Sequence, residues 1–165
     1  MTAIDQAQHH QNGPDSPEII TRVVSSDSEM EAVYQIRREV FVREQGLTRS
    51  VYDEPDDRHS VHIVAYSGGR VVGCGRLTYI QDEGQIAWVA ILEPARGTGA
   101  GKAIMDHLMA IAIAHPVQYV TLNAQTHALG FYHRFGFESI GRRFHMSQIE
   151  HQFMVRQLNS SNPAT

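Results

Sequence analysis

Three glycines and two cations stand together at residues 96–102, in the run RGTGAGK. An apolar, β-branched segment precedes this run at residues 86–92, and residues 103–111 carry apolar side chains at helical spacing. Glycines at a strand-to-helix junction let the backbone turn tightly, and the free N–H groups of the first helical turn favour an anion, most often a phosphate. Arg96 and Lys102 add positive charge at the two ends of the run. We therefore predict a phosphate-binding loop rather than a simple glycine turn.

The spacing within this loop excludes two common phosphate-binding motifs. A nucleoside triphosphate loop needs a glycine five residues before the Gly-Lys pair and Ser or Thr after it, but Arg96 and Ala103 occupy those positions. A dinucleotide fingerprint fails at its last glycine from either possible start. Arg96, Gly99 and Gly101 instead fit the pattern Arg-x-x-Gly-x-Gly. This pattern resembles the pyrophosphate loop of the GNAT acyltransferase superfamily, which grips the diphosphate of coenzyme A.

A second motif lies further along the chain at residues 131–137, FYHRFGF. It resembles the F-Y-x-x-x-G-F signature of the same superfamily. We expect Phe131 and Phe137 to be core residues and Gly136 to end the preceding helix. Tyr132 differs from them, because a phenol on a core-facing helix needs a polar partner when it is buried. Two motifs in the order of the family argue against coincidence.

The first half of the chain indicates one branch of the superfamily. Residues 36–46, IRREVFVREQG, resemble the I-R-x-x-V-F-V-x-E-Q stretch of ElaA/YjcF-like acetyltransferases. Four residues near the C-terminus match the closing pattern of that branch: Phe144, Ile149, His151 and Met154. The resemblance covers about residues 24–158.

This resemblance implies an α/β (α+β) GNAT fold, with a mixed, mostly antiparallel central sheet flanked by helices. It also implies a V-shaped splay between two parallel strands, here residues 86–92 and 117–124. In the family the pantetheine arm of acetyl-CoA lies in the splay, so Val89, Ala90 and Ile91 are expected to bind it through their backbone. The other implied cofactor-binding residues are Arg96, Gly97, Thr98, Gly99, Ala100, Gly101, Lys102 and Gln125.

The implied activity is that of an N-acetyltransferase, which moves the acetyl group of acetyl-CoA to a primary amine, here expected to be a small molecule. The amine attacks the thioester directly in a ternary complex, and Tyr132 would act as the catalytic acid that protonates the departing thiolate. Trp88, Met146 and Gln148 depart from the branch pattern, so we expect a more apolar acceptor pocket. The candidate substrate contacts are Phe41, Glu44, Gln45 and Trp88.

Two other functions remain open from the sequence. Acyl-homoserine lactone synthases share the fold and an arginine-rich N-terminal helix, so an acyltransferase of that kind is one alternative. The second alternative is a non-catalytic acyl-CoA-binding module, against which the intact loop and Tyr132 argue. Dimers are common in the family, which leaves a homodimer open.

Composition limits the remaining classes of function. A length of 165 residues favours one domain, which we place at residues 19–158, between a disordered leader at 1–18 and a disordered tail at 159–165. A net charge of −4 without a basic run argues against nucleic acid as a partner. No apolar stretch is long enough to span a membrane, and no signal-peptide core is visible. With a single cysteine, these features predict a cytoplasmic protein.

Several side chains with possible chemistry receive a structural interpretation. The ten histidines show neither H-E-x-x-H nor paired Cys/His spacing, so we expect no metal site. Cys74, between two glycines, is expected to be a small buried residue. The acidic cluster at residues 53–57 is expected to be a solvated loop. Ser28 and Glu31 predict a capping box for a first helix, on which Arg37 is expected to be a surface charge.

Overall fold

The computed structural model of the chain describes residues 2–3 and 16–158, which form one sheet with helices on both faces. The described strands are β1 (Thr2–Ala3), β2 (Ile19–Val23), β3 (Ser60–Ser67), β4 (Arg70–Ile80), β5 (Glu83–Ile91), β6 (Tyr119–Gln125), β7 (Glu138–Ser139), β8 (Phe144–Met146) and β9 (Ile149–Gln157). The longer helices are α1 (Asp27–Arg37), a π-helix (Arg38–Glu44) that continues it, α2 (Ala100–Ala114) and α3 (Leu129–His133). Short 3₁₀ turns cover Asp57–His59, Glu93–Ala95 and Thr126–Ala128.

The strand order is β2-β3-β4-β5-β6-β9-β7, with β1 paired to β5 and β8 paired to β9. Two of these pairings, β5 with β6 and β1 with β5, are parallel. The other pairings are antiparallel. The predicted fold class, a mixed and mostly antiparallel sheet flanked by helices, is confirmed.

Helix α2 lies on one face of the sheet because β4 presents glycines there. A Cβ atom on Gly75 would come within 2.8 Å of the Ile104 side chain of α2, and one on Gly73 within 3.0 Å of the same side chain. The absence of side chains therefore lets the helix approach the strand closely. Ile104 and Leu108 of α2 are fully buried in the core on this side.

The opposite face of the sheet is covered by α1 and the π-helix. Val33, Phe41 and Trp88 belong to a second core cluster on this side, and all three are almost completely buried. The α1 helix begins differently from the prediction, because its N-cap is Ser26 and not Ser28. Ser26 Oγ accepts a hydrogen bond from the backbone N–H of Glu29 at 3.2 Å, so the predicted capping box is wrong by two residues.

The predicted leader and tail fall mostly on residues that the structure does not describe. Residues 1, 4–15 and 159–165 lie outside the described part of the chain. Within the predicted leader, Thr2–Ala3 form β1 and pair with the middle of the sheet. This pairing bears directly on the candidate site.

Candidate active site

The two parallel strands β5 and β6 separate after a short paired stretch. Their register runs from Glu83 opposite Tyr119 to Ile86 opposite Leu122 and then stops, although both strands continue. Val89 and Gln125 each lie three residues beyond the last pair, on opposite walls of the cleft that opens there. The edge of β5 that faces β6 is thus open to another extended chain from about Val89 onward.

In this structure β1 uses that open edge. Thr2 pairs with Val89 and Ala3 pairs with Ala90 in parallel register. The pairing demonstrates that the backbone of Val89 and Ala90 can bind an extended group inside the splay. The same N–H and C=O groups cannot serve a second partner at the same time, so an acyl arm bound here must replace β1.

A bulge in β5 lies next to the splay. The register between β4 and β5 shifts at this point, and Trp88 has a φ of +55°. The Trp88 indole N–H donates to Glu54 at 2.7 Å, and its ring meets Phe41 edge-on with centroids 4.9 Å apart. Phe41 and Trp88, both predicted as substrate contacts, are buried to within 1% exposure and fix the π-helix against β5. Bulges of this kind re-aim the strand beside active sites.

The glycine-rich loop forms the N-terminus of α2, as predicted. Gly97 and Gly99 have φ values of +76° and +90°, which side chains rarely permit. Gly99 is the N-cap and supplies no capping side chain, so the first-turn N–H groups of α2 from Ala100 onward are not capped. Thr98 Oγ1 donates to the carbonyl of Ala95 at 2.6 Å, which steadies the turn. The loop thus presents backbone donors at the positive end of a helix.

The two cations of the loop have protein partners. Arg96 donates to Glu44 at 2.6 Å and to the carbonyl of Ile91 at 3.0 Å, so it ties the loop to the π-helix and to the end of β5. Lys102 donates to Asp106 at 2.6 Å one helical turn away, and its side chain is 71% exposed. Arg96 therefore holds the loop in position in this structure. Lys102, by contrast, can exchange its surface partner Asp106 for a ligand.

Two glutamine side chains, those of Gln45 and Gln125, contact each other on the side of the cleft opposite β5. Gln45 follows the π-helix, and Gln125 ends β6 with no exposed surface. Each side-chain amide donates to the other, with N···O distances of 3.0 and 2.8 Å. The structure therefore brings Gln45, a predicted substrate residue, directly onto Gln125, a predicted cofactor residue.

Tyr132 lies on α3, on the face of the sheet that α2 covers, and is completely buried. Its ring contacts Phe131 and Phe137 edge-on, with centroids 5.0 and 6.3 Å away. These two phenylalanines are core residues, as predicted, and Gly136 ends this segment with a φ of +81°. Tyr132 shares its core cluster with Val89, the residue at the start of the open edge.

A buried ionic cluster beneath Trp88 was not anticipated. Arg37 donates to Asp57 at 2.8 Å and Arg76 donates to it at 2.9 Å, with all three side chains less than 5% exposed. Burial alone would raise the pKa of Asp57, but the hydrogen bonds and charges of the two arginines lower it. The expectation of a surface Arg37 was therefore wrong, and the expected solvated acidic loop is wrong at Asp57, whereas Asp53, Pro55 and Asp56 are exposed. A helical spacing of four residues from Val33 through Arg37 to Phe41 was the signal that could have revealed the buried arginine.

The other side chains with possible chemistry either have a structural role or form no site. Burial raises the pKa of Cys74 to about 12, and its thiol points at the carbonyl of Trp88 at 3.6 Å, so it is an inert packing residue. Among the described residues, no three His, Cys, Asp or Glu side chains come together as a metal site. In the same part of the chain, no helix is both long and apolar enough to cross a membrane.

Comparison with known proteins agrees with this geometry. A family model described as an acetyltransferase (GNAT) domain matches residues 20–158. The chain therefore belongs to the GNAT acetyltransferase family. It is an acyltransferase of that family, with an acyl-CoA as cosubstrate and an acceptor substrate.

Individual relatives support the same branch. BSU40680 of Bacillus subtilis (strain 168) is 33% identical over 141 residues, which cover 84% of this chain and 96% of that protein. YjcF of the same strain, named an uncharacterized N-acetyltransferase, is 29% identical over 135 residues that cover 81% and 96%. The crystal structure of Escherichia coli ElaA matches with a TM-score of 0.77 at 27% identity and covers 85% of this chain and 100% of its own. The predicted resemblance to ElaA and YjcF is confirmed.

Proposed function

We propose that this protein transfers the acetyl group of acetyl-CoA to the primary amine of a small molecule, by direct attack in a ternary complex. The proposal rests on one observation, that two features able to bind parts of one ligand follow each other closely along the chain. The open edge of β5 at Val89 and Ala90 leads within a few residues to the uncapped N-terminus of α2 at Gly99. A ligand with an extended arm and an anionic end fits both at once.

Acetyl-CoA has this shape. Its diphosphate would accept hydrogen bonds from the backbone N–H groups of residues 97–102, where the α2 dipole favours negative charge. Its pantetheine arm would replace β1 on the edge formed by residues 89–91. The thioester would then lie near the Trp88 bulge, where one backbone N–H can polarise the carbonyl.

The chemistry then needs an acid for the leaving thiolate. A phenol is protonated at neutral pH and can donate to a thiolate. We assign this role to Tyr132, because it is buried in the same cluster as Val89 and no solvent competes for its proton. Cys74 is unsuited to carry the acetyl group since burial holds its thiol protonated, which agrees with direct attack.

The acceptor would approach from the face covered by the π-helix. Glu44 and Gln45 lie there at the surface of the cleft, whereas Phe41 and Trp88 support it from the core. Met146 packs at the edge of the same apolar cluster, consistent with an acceptor pocket that is more apolar than in the branch as a whole.

The test is a screen that reports free thiol from acetyl-CoA with a library of primary amines, in which mass spectrometry identifies each product. We expect some amines to yield one acetylated product per thiol. A parallel arm offers acyl carrier protein and S-adenosylmethionine, and acyl-homoserine lactone formed there would favour the synthase alternative. Binding of acetyl-CoA without turnover in any arm would favour a binding module and contradict the proposal.

A further inference from the structure

His151 is a buried imidazole at the mouth of the splay that the chemistry above does not use. It has no exposed surface, and its ring stacks near Phe144 with centroids 6.0 Å apart. Nδ1 lies 2.7 Å from the carbonyl of Ile149, so Nδ1 carries the proton and donates it. Nε2 is then an acceptor, and it has no hydrogen-bond partner among the residues that the structure describes.

The position of His151 follows from the register of β9. His151 pairs directly with Gln125 of β6, and directly paired residues of adjacent strands project to the same face. The Gln125 side chain reaches Gln45 at the end of the π-helix. His151 therefore lies on the face from which the acceptor would approach, beside Gln125, the residue that ends β6 on the wall of the splay opposite β5.

We propose that Nε2 of His151 accepts the proton that the acceptor amine loses as it attacks the thioester. This inference rests on the proposed function and adds the general base to it. A buried nitrogen lone pair without a partner is costly to maintain in a folded protein. A substrate N–H donor that enters the cleft would satisfy it.

Each proton that moves in the proposed step has a donor and an acceptor. The neutral amine nitrogen forms a bond to the thioester carbon, and the carbon–sulfur bond breaks. The amine proton moves to Nε2 of His151, while the Tyr132 hydroxyl gives its proton to the sulfur of coenzyme A. Solvent then takes the proton from the imidazolium and returns one to Tyr132, which leaves an N-acetyl amide and a free thiol.

The electrostatic surroundings keep the imidazole ready to accept a proton. Burial lowers the pKa of His151, although the hydrogen bond to Ile149 opposes the shift. The imidazoles of His127 and His145 act in the same direction as burial. The ring is therefore neutral at pH 7, as a proton acceptor must be.

The test compares His151→Asn with a matched control, His59→Asn. Asparagine keeps a donor near the place of Nδ1 and removes Nε2, whereas His59 is an exposed histidine on the 3₁₀ turn Asp57–His59. We expect His151→Asn to lower kcat by about 10²–10⁴-fold, the usual range for a lost general base. The Kd of acetyl-CoA should stay unchanged, and added imidazole should restore part of the rate. His59→Asn should keep wild-type kcat.

The pH profile separates a chemical role from a structural one. For the wild type, kcat/KM should fall as the pH drops below the ordinary histidine pKa of about 6.5, and this limb should vanish in His151→Asn. Equal kcat values for His151→Asn and the wild type would overturn the inference while leaving acetyl transfer intact. Absence of transfer by the wild type would overturn both.

If His151→Asn does not fold, nitrogen NMR of the wild type provides a second measurement. We expect the neutral Nδ1–H tautomer at pH 7, and protonation only below about pH 6.5. An imidazole already protonated at pH 7 would contradict the assignment.

Discussion

Gln45 and Gln125 exchange two hydrogen bonds across eighty residues of sequence, with N···O distances of 3.0 and 2.8 Å. The pair joins the end of the π-helix to the end of β6, and so fixes the distance between the acceptor-side helix and one wall of the splay. Gln125 is completely buried, so each amide depends on the other for its hydrogen bonds. The two residues therefore act as one unit.

A double-mutant cycle tests this coupling. Gln45→Ala and Gln125→Ala should each lower the free energy of unfolding, because each leaves an amide with lost partners, and the two losses should be less than additive. We expect a coupling energy of about 0.5–3 kcal/mol from urea unfolding. Gln35→Ala, at an exposed position of α1, is the control and should change stability little. Fully additive losses would show that the two amides do not interact in solution.

Gly99→Val tests the anion-binding loop. A valine at a φ of +90° is strained, and its side chain would stand where the diphosphate is expected to reach the backbone. Gly69→Val is a matched control, since Gly69 has a φ of +77° and open space around it but lies in the β3–β4 turn. Both variants should lose similar stability, but only Gly99→Val should weaken acetyl-CoA binding, by at least about tenfold or 1.4 kcal/mol. Normal calorimetric binding to a folded Gly99→Val would remove the loop from the site.

Occupancy of the splay by β1 predicts competition with the cofactor. Successive backbone N–H groups of a strand point to opposite sides, so replacement of both Thr2 and Ala3 by proline removes the one N–H donor of this pair that can face β5. At about 0.5–1.5 kcal/mol for that lost hydrogen bond, acetyl-CoA should bind up to about tenfold more tightly. Ala7→Pro, outside β1, should leave the affinity unchanged. If the double variant binds acetyl-CoA as the wild type does, β1 does not compete for the edge of β5.

The lowered pKa of Asp57 predicts how the free energy of unfolding depends on pH. Its pKa is lowered in the folded protein, so it contributes stability fully above its unfolded pKa of about 3.9 and loses that contribution as the pH falls through the lower folded value. Asp57→Asn leaves Arg37 and Arg76 without their shared carboxylate and should cost about 3–5 kcal/mol at pH 7.

The control for Asp57 is Asp53→Asn, which breaks an exposed pair with Arg58. It should cost no more than about 1 kcal/mol. Urea unfolding between pH 7 and pH 3 should show a shallower pH dependence for Asp57→Asn than for the wild type. Identical slopes would contradict the role given to the Asp57 carboxylate.

The parts of the site that could be predicted from the sequence are local. The loop at residues 96–102 and the segment around Tyr132 are each only a few residues long. Residue type and spacing are therefore enough to predict them. The pairing of Gln45 with Gln125 and of Arg37 with Asp57 depends on how distant elements meet. No local pattern specifies such contacts. The helix start shifted from Ser28 to Ser26 because Glu29, which Ser26 caps, is also held by Arg22 and Tyr66 of the sheet.

The free edge of β5 was expected from the family resemblance, but its partner β1 was not. Thr2 and Ala3 lie far from Val89 in sequence, and two residues are too few for a strand pattern to be visible. The role of His151 also depended on structure, because its hydrogen bond to Ile149 and its alignment with Gln125 define which nitrogen is an acceptor.

In the proposed reaction, acetyl passes directly from acetyl-CoA to an amine, with Tyr132 as the acid. Tyr132→Phe keeps the ring contacts with Phe131 and Phe137 and removes only the hydroxyl. It should therefore fold and bind acetyl-CoA normally, while kcat falls by about 10²–10⁴-fold.

The most direct measurement is a single turnover of the wild type with acetyl-CoA labelled with ¹³C in the acetyl group, in the presence of the best amine from the screen. We expect the label to appear as an N-acetyl amide at the rate at which free thiol appears, with no labelled protein at any time. Label that accumulates on the protein, or that remains on coenzyme A with every amine tested, would contradict it.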